Sequence, residues 1–161
     1  MASANAHQPL MPSLLTRLLD PDSMRVASQA AYSTQLIIDS VRLDMEDLFN
    51  TRQSGATIPK QFSEVQNSIL TYGLPDMTYM DVNDDTECAK ICRMIVALIN
   101  RFEPRLKKVR VGVVKSDGGN DRQVRFRIEG FLAVDPAPEV GFDSVVELST
   151  GKTVVEAKTV K

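Results

Sequence analysis

Histidine, cysteine and tryptophan are scarce in this sequence, and two of these scarcities exclude classes of function. The 161 residues contain no tryptophan, a single histidine, His7, and two cysteines, Cys88 and Cys92. Catalysis by Ser–His–Asp or Cys–His groups needs a positioned imidazole, and a histidine-rich zinc site needs several. Two cysteines are too few for a disulfide framework, so a reducing, cytoplasmic location is the expectation.

Long apolar runs and an excess of charge are also missing. The longest apolar run spans residues 94–99, whereas a membrane-spanning helix needs about twenty residues. Residues 1–11 have neither a basic start nor an apolar stretch, so no secretory signal is visible. The 19 basic and 21 acidic residues give a formal net charge of −2, which argues against a strongly basic nucleic-acid binder.

What remains is the composition of an ordinary soluble domain. Hydrophobic residues make up 43% of the chain and charged residues 25%. A chain of this length can bury about two-thirds of its unfolded surface, which is enough for a core without disulfides. We expect a disordered leader over residues 1–11, an N-terminal helical anchor over residues 12–22, and a single α+β domain over residues 23–161.

The first half of the chain has helical periodicity. A short helix over residues 13–19 would be too small to be stable alone, so it must dock on its own domain or on a partner. Four leucines lie along this short helix: Leu14, Leu15, Leu18 and Leu19. A longer helix over residues 24–50 has one apolar stripe. The members of the stripe are Ile37, Val41, Met45 and Leu48.

Two further helices are indicated by their ends. Ser63 and Gln66 have the spacing of a capping box, with Gly73 placed as the helix stop and Val65, Ile69, Leu70 and Tyr72 as the apolar side. The fourth helix would be capped by Asp85 or Thr86 and would end before Pro104, because the residue before a proline is disfavoured in helical conformation.

After residue 104 the apolar period changes from 3.6 to 2, which predicts strands. The alternation covers residues 109–113 and 124–134, with a turn signal between them at residues 116–121. Residues 135–141 read as a loop, followed by strands over 145–148 and 153–160. The predicted fold is therefore α+β, with N-terminal helices packed on a small C-terminal antiparallel β-sheet.

Cysteines and carboxylates offer little chemistry in this pattern. Cys88 and Cys92 lie one helical turn apart on an apolar face, which is typical of buried small hydrophobic residues. The carboxylates read as a solvated helix face and a helix N-terminus favoured by negative charge, without calcium-loop spacing. They are Asp44, Glu46, Asp47, Asp81, Asp84, Asp85 and Glu87. We therefore expect no catalytic residues, no metal and no cofactor.

Basic residues are concentrated between residues 101 and 127, where nine basic and three acidic side chains give a local charge of +6. Four of them should project from the polar face of the first hairpin: Lys108, Arg110, Arg125 and Arg127. Such a face could bind phosphate or an acidic protein partner, or it could be a plain solvated surface. It lacks interleaved aromatic residues for single-stranded nucleic acid.

The segment Arg-Phe-Glu-Pro-Arg-Leu, residues 101–106, lies where the helices meet the sheet. Pro104 restricts the relative geometry of Glu103 and Arg105, and arginine offers a planar fork for carboxylates. Two interpretations stay open at this point. The pair could be a local clasp that ties the helix end to the sheet, or it could bind a partner.

Five stretches together resemble a known family. They are PSLLTRLLD at 12–20, SVRLDMEDLFNTR at 40–52, SILTYGLPD at 68–76, EPRL at 103–106 and RIEGFLAVDPAP at 127–138. In this order they resemble the TssE family of baseplate wedge subunits from bacterial type VI secretion systems. That family is related to the small wedge protein of contractile-phage baseplates.

The resemblance implies a structural protein in the cytoplasmic baseplate, docked beneath an inner-membrane complex. It implies wedge partners TssF and TssG, contact with the TssB–TssC sheath, and only indirect association with the membrane. The implied contact residues are Glu103, Pro104 and Arg105 with the adjoining Leu106, and we expect the four leucines of residues 12–22 to dock on the wedge. The lysozyme-like label attached to the family implies no glycosidase activity here.

A small antiparallel sheet has edges that can accept a strand from another chain. Our hypothesis is that this sheet starts sheath assembly in that way. The alternatives are a phage-like particle, an anti-adaptor with the same architecture, and a nucleic-acid module that would use the basic hairpin face. An enzyme is disfavoured by the single histidine and the absence of catalytic motifs.

Overall fold

The helices precede a four-stranded antiparallel sheet in the computed structural model, which describes residues 13–19, 34–55, 58–59, 61–77, 84–114, 123–133, 137–147 and 150–158. The helices are α1 (Leu14–Leu19), α2 (Thr34–Asn50), α3 (Ser63–Gln66) and α4 (Asp85–Phe102), with a 3-10 turn at Ile69–Thr71. The strands are β1 (Leu106–Val114), β2 (Gln123–Leu132), β3 (Glu139–Glu147) and β4 (Thr153–Lys158). The predicted α+β class is confirmed.

The sheet is a simple meander with strand order β1-β2-β3-β4. Its register places Val113 opposite Phe126, and Phe126 opposite Ser144. Strand β2 alternates between exposed and buried side chains, as expected when one face of a sheet covers a core. Helix α4 packs against β1 and helix α2 against β4, so the two long helices cover opposite margins of the same face.

The core lies between this face and the two long helices. The apolar stripe predicted on α2 is buried, and its partners on the sheet include Phe126, Ile128 and Phe142. Helix α4 contributes Ile95 and Ile99 to the same cluster. Cys88 is a buried free thiol and Cys92 is half-buried, as the apolar spacing predicted.

The third predicted helix is mostly wrong. Only four residues, Ser63–Gln66, are α-helical, and Ser63 lies inside the helix after an N-cap at Phe62 that has no side-chain cap bond. The predicted apolar side is also wrong, because Ile69 and Leu70 are exposed. Gly73 does end the segment: its φ is +102°, and a Cβ there would lie 2.3 Å from the Thr51 carbonyl oxygen.

Two other boundaries differ from the predictions. The cap of α4 is Asp84, whose side chain accepts a 2.7 Å hydrogen bond from the backbone N–H of Thr86. Strand β3 begins at Glu139, so the second half of the predicted loop is strand. The predictions for residues 1–11, for the start of the long helix at 24–33 and for the turn at 116–121 lie outside the described residues, as does Asp81.

Candidate partner-binding site

Arg105 is the centre of a hydrogen-bonded clasp that joins helix α2 to the corner between α4 and β1. Its Nε donates to Glu103 Oε1 at 2.7 Å, and its Nη2 donates to carboxylate oxygens of both Glu103 and Asp44. Its Nη1 donates to Ser40 Oγ at 3.1 Å. The guanidinium therefore meets two carboxylates and a hydroxyl, and two of these three partners, Ser40 and Asp44, come from α2.

Backbone hydrogen bonds at this corner fix the position of the clasp. The N–H of Glu103 still bonds the Ile99 carbonyl at 2.8 Å, so Glu103 is the C-cap of α4. The Arg105 carbonyl accepts from the N–H of Ala133 at 2.8 Å, which joins the corner to the end of β2. Leu106 then enters the core as the first residue of β1. Pro104 is the exposed tip of the turn.

Because the clasp is largely buried, its charged groups must be paired with one another. Only 3% of Glu103 is accessible to solvent, so its carboxylate needs the arginine as a partner. Burial by itself lowers the pKa of the Arg105 guanidinium, but the hydrogen bonds and charges of Glu103 and Asp44 outweigh it, and the net pKa is raised. The arginine therefore stays charged, and one cation faces two carboxylates.

A pocket of about 360 Å³ opens beside the clasp. The Tyr72 and Phe102 rings meet edge to face, with their centroids 5.2 Å apart, and both line the pocket. Burial raises the pKa of Tyr72, with further contributions from the charges of Asp47, Asp44 and Glu103. The full lining is Ser13, Asp44, Leu48, Tyr72, Phe102, Glu103, Pro104 and Arg105.

Ser40 connects the clasp to the N-terminal helix. Its buried hydroxyl accepts the Arg105 bond and also a 3.1 Å bond from the backbone N–H of Ser13, the residue before α1. The four leucines of α1, at 55–75% accessible, lie on the surface instead of in the core. The predicted motif and the predicted leucine anchor therefore meet at one hydroxyl group.

A comparison with known protein families shows the family to which the chain belongs. A family model described as "Baseplate wedge protein gp25" matches residues 37–137, which are 101 of the 161 residues. The chain belongs to this family. The matched span runs from α2 through β2 and contains every side chain of the clasp. No curated protein matches the chain in a direct search.

Membership in the gp25 family identifies a structural baseplate protein, and its members are expected to contact other baseplate proteins. The finding agrees with the resemblance drawn from the five sequence stretches. Among the described residues, no helix is long and apolar enough to cross a membrane.

The four basic residues predicted on the hairpin face are all exposed. Two of them have acidic neighbours in the sheet, however. Arg110 lies opposite Glu129, and Arg127 Nε lies 3.1 Å from Asp143 Oδ1. The local charge of +6 was counted over residues 101–127, and the sheet places Glu129 and Asp143, which lie beyond that range, beside two of these basic residues.

The sequence did not single out Ser40 or Asp44 as partners of the motif. They lie 65 and 61 residues from Arg105 along the chain. Their spacing of four on α2 places them on one side of that helix, next to the apolar stripe. That spacing was the only indication in the sequence that Ser40 and Asp44 could act together. Their shared contact with Arg105 is visible only once α2 packs against the corner.

Proposed function

We propose that this chain is the TssE-type subunit of a type VI secretion baseplate, joining the wedge and anchoring the contractile sheath. The observation that carries the proposal is the gp25 family match across the whole Glu-Pro-Arg corner, together with the five TssE-like stretches. Its partners would be TssF and TssG in the wedge and TssB–TssC in the sheath. Its place would be the cytoplasmic baseplate beneath the membrane complex, with no bound cofactor and no nucleic acid.

Helix α1 is the proposed wedge anchor. Its leucines are exposed, and burying a leucine side chain fully contributes roughly 1.5–3 kcal/mol. Four such side chains on six residues supply a compact apolar contact that the chain itself leaves uncovered within the described residues. A hydrophobic groove on TssF or TssG would complete the burial.

The Glu-Pro-Arg corner is the second proposed contact. Pro104 is exposed and Arg105 is half-buried, so these two residues can touch a partner directly. Glu103 and Leu106 are buried and would act by holding the corner in shape. The corner can therefore both stabilise the fold and bind a partner. The clasp fixes the geometry of the corner, and the partner contacts the outer surface of the corner.

Sheath anchoring is proposed to use the sheet. An edge strand can pair with an extended segment of another chain, and main-chain hydrogen bonds then provide affinity. A sheath subunit that adds its strand here would be held at the baseplate and would present the next edge for polymerisation. We also propose that the chain has no enzymatic activity and acts only through such contacts.

A co-purification experiment tests the proposal. The full chain would be produced with TssF and TssG, and compared with a variant lacking residues 1–20 and with a variant carrying Leu14→Ser, Leu15→Ser, Leu18→Ser and Leu19→Ser. We expect wild type to retain the wedge proteins and both variants to lose them while keeping the melting temperature of the folded domain. Unchanged retention by both variants would refute the anchor.

The phage-like particle is the second candidate, because the matching family is named for a phage baseplate protein. The two candidates differ in partners. Retention of TssF and TssG supports the secretion system, whereas a wild-type chain that binds neither of them, but binds phage tail baseplate proteins, supports the particle.

A further inference from the structure

The two edges of the sheet differ in whether their main chain is already bonded. Helix α2 closes the β4 edge with side chains. The amide of Asn50 donates from Nδ2 to the Thr153 carbonyl and accepts at Oδ1 from the Thr153 N–H, both at 2.8 Å. Arg42 Nη1 donates to the Val155 carbonyl at 3.3 Å. These are groups on the side of β4 away from β3, where an added strand would have to bond.

Within the described residues, the main chain at the β1 edge is bonded less completely. Because the Ala133 N–H bonds back to Arg105, the odd-numbered residues of β2 face β1, and their partners there are Arg110, Gly112 and Val114. Alternation therefore turns the main chains of Val111 and Val113 outward. The Cys92 thiol lies within hydrogen-bonding reach of the Val113 N–H, whereas no side chain or loop in the described ranges bonds the main chain of Val111.

We propose that β1 is the edge that receives the partner strand, and that Asn50 and Arg42 confine strand addition to it by closing β4. This inference rests on the proposed sheath-anchoring function and assigns the surface that carries it. A template with one open edge accepts a strand on one side only, so it gives the growing assembly a direction.

The open stretch also specifies the length of the partner segment. A β-bulge between Lys107 and Arg110, with Lys108 at φ +53°, interrupts regular pairing at the start of β1. Beyond it, residues 110–114 provide about 17 Å of regular edge, which is room for a strand of about five residues.

The side chains of β1 specify the chemistry of the partner. Val111 and Val113 are only half-buried on the inner face, so an apolar side chain beside them would complete their cover. Lys107, Lys108 and Arg110 are exposed near the same edge, and β1 carries no acidic residue. The fitting partner is an extended segment that alternates apolar with acidic residues.

A second copy of this chain is a poor occupant. Antiparallel pairing of residues 110–114 in two copies would place Arg110 opposite Gly112 or Val114 of the other copy. Because β1 has no acidic residue, neither copy would supply a carboxylate to the basic residues of the other. The occupant we assign is therefore a strand from a different protein, and under the proposed function it comes from the sheath.

The test introduces a proline at a position where only an added strand would lose a hydrogen bond. In Val111→Pro the lost N–H points out of the sheet, so no internal hydrogen bond is removed, whereas Val111→Ala keeps the N–H and serves as the control. Binding of the purified TssB–TssC pair to the immobilised full chain would be measured alongside thermal melts. We expect Val111→Pro to weaken binding about tenfold and Val111→Ala to weaken it less than about threefold.

Two further variants separate the possible outcomes. Arg110→Glu alters charge without touching the main chain, and we expect it to weaken binding even where Val111→Pro fails to fold. Asn50→Ala opens part of β4, and we expect the full chain to bind additional TssB–TssC through β4 while its affinity through β1 stays at the wild-type level. Wild-type binding in Val111→Pro and Arg110→Glu would overturn the assignment of β1, and an unchanged binding capacity in Asn50→Ala would overturn the role of Asn50 in closing β4. No binding by the folded wild type would instead refute the sheath-anchoring function itself.

Discussion

Removing the Arg105 guanidinium should destabilise the fold strongly, because it leaves the Glu103 carboxylate buried without its partner. Breaking one side of a buried ion pair costs about 3–5 kcal/mol. The side chains of Glu103, Arg105 and Asp44 are 4%, 14% and 25% accessible, so water screens the outer part of the clasp. We therefore expect Arg105→Met, which keeps the apolar stem, to cost about 2–4 kcal/mol.

Thermal and urea unfolding measure this loss. A chain of this size loses roughly 2–4 °C in melting temperature per kcal/mol, so Arg105→Met should melt about 5–15 °C lower than wild type. The matched control is Arg127→Met, which removes a guanidinium from a solvent-screened pair with Asp143 and should lower the stability far less. Equal losses in the two variants would refute the argument that burial makes the clasp costly.

A double variant isolates the pair itself. Glu103→Leu/Arg105→Met removes the most deeply buried carboxylate of the clasp together with its cation, so the double variant should lose less than the sum of its single variants, with a coupling of at least about 1 kcal/mol. Additive losses would mean that the two side chains act independently. The unfolding curves also determine the temperature at which partner binding by the clasp variants must be compared, because an unfolded variant binds nothing.

Two matched substitutions test smaller features of the fold by urea unfolding. Gly73→Ala should cost at least about 2 kcal/mol, because φ is +102° and the new Cβ would meet the Thr51 carbonyl. The control Gly112→Ala places its Cβ in open space and should change the stability by less than about 0.5 kcal/mol. Similar losses in the two variants would contradict the steric argument. Ser144→Ala removes a buried hydroxyl that has no hydrogen-bond partner among the described residues, and it should be neutral or stabilising. Ser40→Ala removes a hydroxyl that accepts two bonds and should cost about 1–3 kcal/mol, so a smaller loss than in Ser144→Ala would contradict the account.

The long helices and most strands were predictable because their burial follows from short-range periodicity. The stripe on α2 and the alternation on β2 each bury one face, and both patterns are visible over a dozen residues. Strand β3 was predicted six residues short, because prolines and Gly141 masked its first alternating residues, Val140 and Phe142. Gly141 lies opposite Glu129 inside the ladder, where a missing side chain does not prevent pairing.

The site was only half predictable for a different reason. Glu103 and Arg105 are close in sequence, so their pairing could be proposed from local geometry. Asp44 and Ser40 reach the same guanidinium only after α2 packs across the corner, and no local pattern encodes that contact. The closure of β4 by Asn50 is equally long-range, 103 residues apart in the chain.

The most direct test of the central claim is sheath formation in cells that lack this chain. A fluorescent sheath subunit in the natural host would be imaged after deletion of the gene and after its restoration. The account predicts that assembled sheaths disappear on deletion, return with the wild-type chain, and do not return with a folded Val111→Pro variant. Sheaths that assemble at the normal frequency without the chain would contradict a role in anchoring them.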